Sequence, residues 1–498
     1  MKRKGFILVL LLIFSLALFG CKERDRDPDQ GGNGNGGNGN GGSDNGGGGG
    51  EDTSKPIVEW YKLAEDADYD GSSVTINFWH RMGEENQNIL KKWIVEFKEV
   101  YPNITVNEVK IADDYDALAN QVALAIPAGN APHITESYPD HVARYGKSAL
   151  ALNNFITNPN IGYSEEEIED FLSGLWLEGQ SYDNLKTVMS MPFTKSSEAL
   201  FYNKTYFDKH DYKLPERGFW TWEEIFEIAE DIKKREPTSY PFGYDSSDNM
   251  FITMSEQWKA PYTGYDSKGK GTVLFNNDTS KEMIKYFKDK IDRGLMTTRS
   301  LNGAFTSDIM KTGEKLYMFV GSTGGARYSI QGADEAFAKG YRVGVAPVPV
   351  KDINNRKQIQ QGPNISLFSK KNEQEMIAAW LFSKFILEPE RTAEFALQSG
   401  YAPIRHSAYE TEKWLNYIAG IKENPATPTE AGAKVIKEAI EMFRDNENIF
   451  FTSAVFNLSS KTRSEVGSLL DKIFAYKDKN LDAYINDEYE DSYDFIVN

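Results

Sequence analysis

The sequence predicts an α/β protein built from two lobes. Stretches with apolar residues at every second position alternate with stretches at helical spacing, which is typical of strands that alternate with helices. The globular part of the chain, from about residue 56 to residue 498, is longer than one hydrophobic core usually serves. We therefore expect two layered lobes, each a sheet covered by helices, with a ligand site at the carboxyl ends of the strands.

The first elements of the globular part have this alternation. Residues 74–78 and 104–106 have strand spacing, and a third strand is predicted to begin at Ile134. Residues 89–97 and 115–126 carry apolar side chains at helical spacing, and each stretch is followed by proline or glycine. Strand, helix, strand, helix and strand with short connections predict a parallel sheet.

Later elements follow from local signals of the same kind. Residues 221–224 (TWEE) form a capping box, which begins a helix and places Trp222 on its apolar face, in the core. Two further strands and two further helices are predicted at residues 316–320, 341–345, 377–385 and 466–473.

The first 20 residues have the layout of an export signal. Basic residues 2–4 precede an apolar run, residues 6–19, which is too short to span a bilayer comfortably. Gly20 and Cys21 follow, and Cys21 is the only cysteine of the chain, so no internal disulfide is possible. The junction resembles a bacterial lipoprotein leader, in which cleavage leaves Cys21 as the first residue and as the attachment point of a lipid that includes palmitate. The alternative is an ordinary secretory signal with an unrelated cysteine.

The segment after Cys21 predicts a flexible tether. Residues 31–50 are almost entirely Gly and Asn, and no apolar residue precedes Pro56 and Ile57. Such a composition cannot bury enough apolar surface to order a chain. We expect residues 21–55 to act as a tether with a reach of roughly 30 Å.

Charge and composition exclude some classes of partner. The formal net charge of −18 argues against a nucleic-acid-binding or anionic-membrane surface. The chain has 9 Trp, 26 Tyr and 29 Phe, a content that suits saccharide binding in an exported acidic protein, although most of these rings are expected in the core.

Seven segments in order resemble the family of extracellular solute-binding proteins that serve ATP-driven importers of sugars and glycerol phosphates. They are residues 75–80 (TINFWH), 125–132 (AIPAGNAP), 191–204 (MPFTKSSEALFYNK), 219–224 (FWTWEE), 341–347 (YRVGVAP), 362–365 (GPNI) and 399–404 (SGYAPI). Within the family, Trp79 and His80 with Tyr115 and Arg463 look most similar to the binders of glycerol-3-phosphate and glycerophosphodiesters.

This resemblance implies a periplasmic-binding-protein-like fold, in which two α/β lobes joined by hinge strands hold the ligand in a cleft between them. It implies lobe one at residues 73–193 and 358–408, and lobe two at residues 194–357 and 409–498. The crossing segments would lie near residues 191–195, near residues 356–361 and after Ile404. A ligand that contacts both lobes would stabilise the closed state.

The resemblance also implies a set of ligand-binding residues. They are His80, Tyr115, Asp140, Ser197 (or Ser196), Ser322, Gly362, Tyr401 and Arg463. Hydroxyls and a carboxylate suit polyol hydroxyl groups, and an arginine suits phosphate or paired hydroxyls. One position departs from the glycerol phosphate binders, which carry a carboxylate directly after the tyrosine equivalent to Tyr138. Here that residue is Pro139, and the acid follows as Asp140.

Structural roles are open for the same residues. His80 is equally compatible with a hydrogen-bonded core histidine, Arg463 with a surface ion pair, and Asp140 with a helix cap. Tyr401 lies in a turn between helices, which favours ligand contact over the core. Phe251, Trp258 and Tyr265 are candidates for sugar stacking, but packing within lobe two is the simpler interpretation.

We expect a binding protein and no enzyme. The histidines have no metal-ligand spacing, no Gly-x-Ser-x-Gly motif is present, and no cofactor or metal is expected. The predicted function is the substrate-binding lipoprotein of an importer, a monomer held at the cell membrane on its periplasmic or extracellular side, with a carbohydrate as solute and permease subunits as partners. The alternatives are a glycerol phosphate binder, a secreted glycoside hydrolase, or a receptor-linked binding module.

Overall fold

The computed structural model of the 498-residue chain describes residues 58–183, 186–312, 315–326 and 337–498. The predicted signal peptide and the whole of the predicted tether, including Cys21, lie outside the described residues.

The strands are numbered in chain order. They are β1 (Val74–His80), β2 (Ile104–Lys110), β3 (Ile134–Ser137), β4 (Met191–Pro192), β5 (Ser196–Asn203), β6 (Tyr240–Tyr244), β7 (Thr263–Tyr265), β8 (Gly271–Val273), β9 (Met296–Thr298), β10 (Leu316–Ser322), β11 (Val343–Ala346), β12 (Gln358–Gln361), β13 (Asn364–Leu367) and β14 (Phe450–Phe451).

The helices are numbered in the same way. They are α1 (Glu84–Val100), α2 (Tyr115–Ala125), α3 (Pro139–Val142), α4 (Asn153–Ile156), α5 (Glu165–Glu169), α6 (Ser173–Glu178), α7 (Lys204–Lys209), α8 (Trp222–Arg235), α9 (Ser247–Trp258), α10 (Asp278–Asp292), α11 (Arg299–Asn302), α12 (Thr306–Met310), α13 (Glu373–Ile386), α14 (Pro389–Ser399), α15 (Glu412–Gly420), α16 (Pro428–Asp445), α17 (Ser459–Ala475) and α18 (Leu481–Val497).

The first sheet has the strand order β2-β1-β3-β13-β4. β1 is parallel to both β2 and β3, which confirms the predicted parallel arrangement of the first three strands. β13 returns from much later in the chain and is antiparallel to β3 and β4. Helices α1 and α13 pack on this sheet, and Trp93, Phe97 and Phe382 are buried between them and the strands.

The second sheet has the order β14-β12-β5-β10-β6-β9, with β11 also paired to β5. It is mixed: β10 is parallel to β6 but antiparallel to β5. Its helices include α8, which begins with the predicted capping box, because Thr221 and Glu224 bond reciprocally through side chain and backbone. Trp222 is fully buried 5.5 Å from Phe242, which confirms its predicted core position.

The chain passes from one sheet to the other three times, between β4 and β5, between β12 and β13, and between β13 and β14, and the first two of these crossings are adjacent. β4 continues into β5 through residues 193–195, and β12 continues into β13 through Gly362 and Pro363. Gly362 has φ 96°, and a Cβ there would lie 2.2 Å from the carbonyl oxygen of Thr194, so only glycine fits where the two crossings touch.

A buried lysine joins the two adjacent crossings and forms an ion pair with Glu178 at the end of α6. Lys195 Nζ donates to Glu178 Oε2 (2.5 Å), to the carbonyl oxygen of Gly362 (2.8 Å) and to Asn364 Oδ1 (3.1 Å). Lys195 and Glu178 are both almost wholly buried. One side chain on the first crossing therefore holds the second crossing in place.

Residues 421–427 connect two groups of elements, because α15 packs on α14 whereas α16 packs on β11 of the second sheet.

Among the described residues, no helix combines the length and the apolar character that crossing a membrane requires.

Candidate functional site

A cavity of about 740 Å³ lies between the two sheets. Tyr115 and Tyr138, which follow β2 and β3, line it from the first sheet. Asp245, which follows β6, and Ser322, which ends β10, line it from the second sheet. The cavity, here called the cleft, is therefore at the carboxyl ends of parallel strands, where α/β folds place their ligands.

Four of the predicted site residues line the cleft: Tyr115, Ser322, Tyr401 and Arg463. They come from the start of α2, the end of β10, the connection after α14 and the second turn of α17. Residues nearly 350 positions apart in sequence are thus brought to one cavity.

Arg463 is held in place by α9. Its Nε donates to Asp248 Oδ2 (2.8 Å), and its Nη2 donates to Asn249 Oδ1. Its guanidinium lies 5.6 Å from the ring centre of Tyr138. Burial alone would lower the pKa of this guanidinium, but the carboxylates of Asp248 and Asp140 outweigh burial and hold the pKa above its ordinary value. Arg463 is therefore both an ion-pair partner and a wall of the cleft.

The tyrosines give the cleft aromatic faces. The rings of Tyr115 and Tyr138 meet edge to face at 4.7 Å, and the guanidinium of Arg81 lies 4.3 Å from the ring centre of Tyr115. Tyr401 packs against Gly324, where an added Cβ would come within 3.0 Å of its ring, so the glycine leaves room for the tyrosine.

His80 lies outside the cleft, in contrast to its predicted role. It is fully buried, its Nε2 is 2.6 Å from Glu108 Oε2, and its Nδ1 accepts from the backbone N–H of Met82 at 3.1 Å. Burial lowers the pKa of the imidazole. Both ring nitrogens are hydrogen-bonded to protein groups, as expected if His80 is a core histidine rather than a ligand-binding residue.

Ser197 and Gly362 also lie outside the cleft. Ser197 Oγ donates to the carbonyl oxygen of Ile359 (2.7 Å) and accepts from Gln358 Nε2 (2.9 Å), whereas its neighbour Ser196 lines the cleft. Successive side chains of a strand point to opposite faces, so only one of the two serines can face the cleft. Gly362 has the structural role described above at the strand crossing.

Asp140 lines a small side pocket of about 60 Å³ that shares Tyr138, Gln361 and Arg463 with the cleft. It lies inside α3, whose N-cap is Tyr138, so Asp140 does not act as the helix cap.

Several acidic and amide groups of the cleft are not among the residues predicted from sequence. Asp245, Asp248, Glu198 and Gln361 all line it. Asp245 accepts from the backbone N–H (2.6 Å) and hydroxyl (2.7 Å) of Thr306, and burial raises the pKa of its carboxyl. Asp245 directly follows the apolar stretch of β6, a signal that could have identified it.

The aromatic residues considered for sugar stacking pack elsewhere. Phe251 is fully buried, Trp258 packs 5.4 Å from Phe287, and the Tyr265 hydroxyl donates to the carbonyl oxygen of Ser181 at 2.7 Å. Within the part of the chain that the structure describes, no group of three or more His, Cys, Asp or Glu side chains is arranged to hold a metal ion.

Three relatives are informative. The sn-glycerol-3-phosphate-binding periplasmic protein UgpB of Salmonella typhimurium is 24% identical over 357 residues, which are 69% of this chain and 77% of that protein. The structure of UgpB from Mycobacterium tuberculosis in complex with glycerophosphocholine superposes with a TM-score of 0.64 at 19% identity, over 85% of this chain and 98% of that one. The sugar-binding protein MalE of Xanthomonas citri superposes with a TM-score of 0.65 at 14% identity, over 85% and 97%.

These structural similarities show the periplasmic-binding-protein-like fold. In this fold hinge strands connect two lobes, and the cleft lies between the lobes. The family model for bacterial extracellular solute-binding proteins matches residues 92–429, more than half of the chain. The chain belongs to the family of bacterial extracellular solute-binding proteins.

Proposed function

We propose that this protein is the substrate-binding lipoprotein of an ABC-type importer, which captures a carbohydrate reversibly in the cleft and delivers it to a membrane permease. The observation that carries this proposal is the cleft itself, a cavity of about 740 Å³ lined from both sheets by hydroxyl, carboxylate, amide and aromatic side chains. Such a mixture binds polyols through hydrogen bonds and ring faces.

The charges of the cleft favour a neutral solute. Among the described residues, five aspartates line it against three arginine or lysine side chains: Asp114, Asp116, Asp245, Asp248 and Asp308 against Arg299, Lys311 and Arg463. His141 also lines the cleft, and its Nε2 lies 2.9 Å from Asp116 Oδ1. Two of the basic groups already pair with cleft carboxylates, Arg463 with Asp248 at 2.8 Å and Lys311 with Asp308 at 2.7 Å. An anionic solute would have to compete with these carboxylates.

A second candidate solute is glycerol-3-phosphate or a glycerophosphodiester. Arg463 faces the cleft with a guanidinium that suits phosphate, and two relatives are named for binding such compounds. The protein's role in transport would be the same. Catalysis forms no part of either proposal.

We further propose that residues 1–20 are a signal peptide, that Cys21 carries the lipid anchor, and that residues 21–55 tether the globular part at the outer face of the cell membrane. Export agrees with the membership in an extracellular family. In this proposal the protein is a monomer whose partners are the solute and the permease subunits. The proposed lobe boundaries are those implied by the family resemblance, except that β12 lies in the second sheet and α15 packs with α14.

A thermal-shift panel on the chain without residues 1–20 tests the solute class. The panel contains glucose, maltose, maltotriose, glycerol-3-phosphate and glycerophosphocholine, with inorganic phosphate as the control for nonspecific anion effects. A solute at about a thousand times its Kd adds roughly 4 kcal/mol to the free energy of unfolding. Stabilisation by sugars is the expected result, and stabilisation only by the phosphate esters would support the second candidate. No shift with any compound would contradict both.

A further inference from the structure

Glu198 has an unusual place in the cleft. It is the third residue of β5, and it pairs in register with Ser322 of β10. Its side chain lines the cleft at the base of the second sheet, and the residue is only 1% exposed. The sequence predicts no role for Glu198, because a glutamate inside a strand gives no signal of function by itself.

The two carboxyl oxygens of Glu198 differ in their partners. Oε2 accepts a hydrogen bond from the Tyr244 hydroxyl at 2.6 Å. Oε1 is buried, and no described group meets it with hydrogen-bond geometry. The side chain of Asn249, which donates to Gln361 Oε1 at 2.6 Å, is the neighbouring amide that acts to lower the pKa of this carboxyl. A buried polar atom without a partner is costly, so such an atom in a binding cleft indicates a missing ligand group.

The surroundings of Glu198 favour a neutral carboxyl group. The titratable and charged groups that face it are Tyr244 on β6, Asp248 on α9 and Arg463 on α17, whereas β10 and β12 present Ser322 and Gln361. Burial, with a smaller contribution from Asp248, raises the pKa of the Glu198 carboxyl to about 8. Since Oε2 accepts from Tyr244, the proton of the neutral group resides on Oε1, and that O–H needs an acceptor.

We propose that Glu198 is a specificity-determining residue of the cleft, whose Oε1–H donates a hydrogen bond to a hydroxyl oxygen of a neutral solute. This inference rests on the proposed function and deepens it, because it selects a neutral polyol such as a sugar over a phosphate ester. An ionised Glu198 beside Asp248 would repel a phosphate, and a neutral Glu198 offers a phosphate only one donor next to a carboxylate.

The glutamine variant isolates this role. In Glu198→Gln the amide oxygen can still accept from Tyr244, while the NH₂ group donates to the solute at every pH. Isothermal titration calorimetry at pH 7, 8 and 9 would compare wild type, Glu198→Gln and Glu198→Ala, with maltotriose, glucose and glycerol-3-phosphate as probes. Thermal unfolding without solute would establish whether each variant is folded. If Glu198→Ala is not folded, the comparison of Glu198→Gln with wild type still tests the inference.

The wild type is expected to lose about tenfold in sugar affinity between pH 7 and pH 9, as the carboxyl group ionises. Glu198→Gln should bind within about threefold of wild type at pH 7 and should lack this alkaline loss, whereas Glu198→Ala should lose on the order of tenfold at pH 7. Titration of any other acidic side chain, including Glu136 on β3, would affect wild type and Glu198→Gln equally.

Three results with the variants would overturn the inference while leaving the proposed function intact. The first is a loss of tenfold or more in the sugar affinity of Glu198→Gln at pH 7, which would indicate that a carboxylate accepts from the solute. The second is a loss of sugar affinity at alkaline pH that persists in Glu198→Gln. The third is an unchanged sugar affinity in Glu198→Ala. Tighter wild-type binding of glycerol-3-phosphate than of either sugar would also contradict it. If wild type binds none of the probes at any pH, the proposed function fails and this inference fails with it.

Discussion

One buried carboxyl group, that of Glu136, makes the stability of this fold depend on pH. It is 3% exposed on β3, and its Oε2 accepts from the backbone N–H of Arg81 at 2.8 Å. Burial raises the pKa of its carboxyl to about 7, against an unfolded value of about 4.5. Between these pH values the folded chain keeps a proton that the unfolded chain releases, so the free energy of unfolding falls as pH rises.

Glu136→Gln is therefore expected to flatten the stability profile. Relative to wild type, the variant should gain up to about 3 kcal/mol in the free energy of unfolding on going from pH 5 to pH 8, because the amide has no proton to lose. Urea unfolding at the two pH values measures this difference. The exposed Glu216→Gln is the matched control and should change nothing. An equal pH slope in wild type and Glu136→Gln would contradict the prediction.

The two adjacent strand crossings depend on the ion pair of Lys195 and Glu178. Lys195→Met is expected to reduce the free energy of unfolding by about 3–5 kcal/mol, because it leaves the Glu178 carboxylate buried without its partner. Adding Glu178→Gln should recover a large part of that loss, since the remaining group is neutral. Urea unfolding of both variants is the measurement.

The exposed pair of Lys204 and Asp208 is the control for this prediction. Their charges lie 3.0 Å apart on one helix, and both side chains are more than half exposed. Lys204→Met should cost no more than about 0.5 kcal/mol. If Lys195→Met were as mild as Lys204→Met, or if Glu178→Gln made Lys195→Met worse, the ion pair would not be the element that holds the crossings.

The elements that sequence predicts well are those fixed by local patterns. The strands at residues 74–78 and 104–106, the intervening helix and the capping box at Thr221 each depend on neighbours a few positions away, and all are present. The antiparallel pairing of β13 with β3 depends on a contact between segments more than 200 residues apart. No local pattern encodes that contact, and the mixed second sheet was missed for the same reason.

The site was predictable to the extent that strand ends could be located. Tyr115 and Ser322 follow or end strands and line the cleft. His80 also ends a strand, yet its side chain belongs to the buried face of β1, together with Ile76 and Phe78. The choice between Ser196 and Ser197 likewise depends on which face of β5 meets the cleft. A shift of one residue along the strand moves a side chain to the opposite face, and the sequence alone does not show which face meets the cleft.

The cleft is the place where solute binding can change the arrangement of the two lobes. Its walls come from both sheets, and the sheets are joined by short crossings at residues 193–195 and 362–363. A solute that contacts both walls has more contacts in the closed state than in the open one, so its binding energy favours closure. Tyr401 and Arg463 contribute to these walls from separate elements.

The double variant Tyr401→Ala/Arg463→Ala is therefore expected to abolish solute-induced closure and to remain folded without solute. Small-angle X-ray scattering should show a decrease in the radius of gyration of wild type at saturating concentrations of the sugar that stabilises it, and no decrease for the variant. Arg235→Ala, which removes an exposed ion pair to Asp231 at 2.9 Å, is the control and should close like wild type. Unchanged calorimetric binding in the double variant would mean that the solute does not use these walls, and the proposed site would then be wrong even though the fold and the family remain as described.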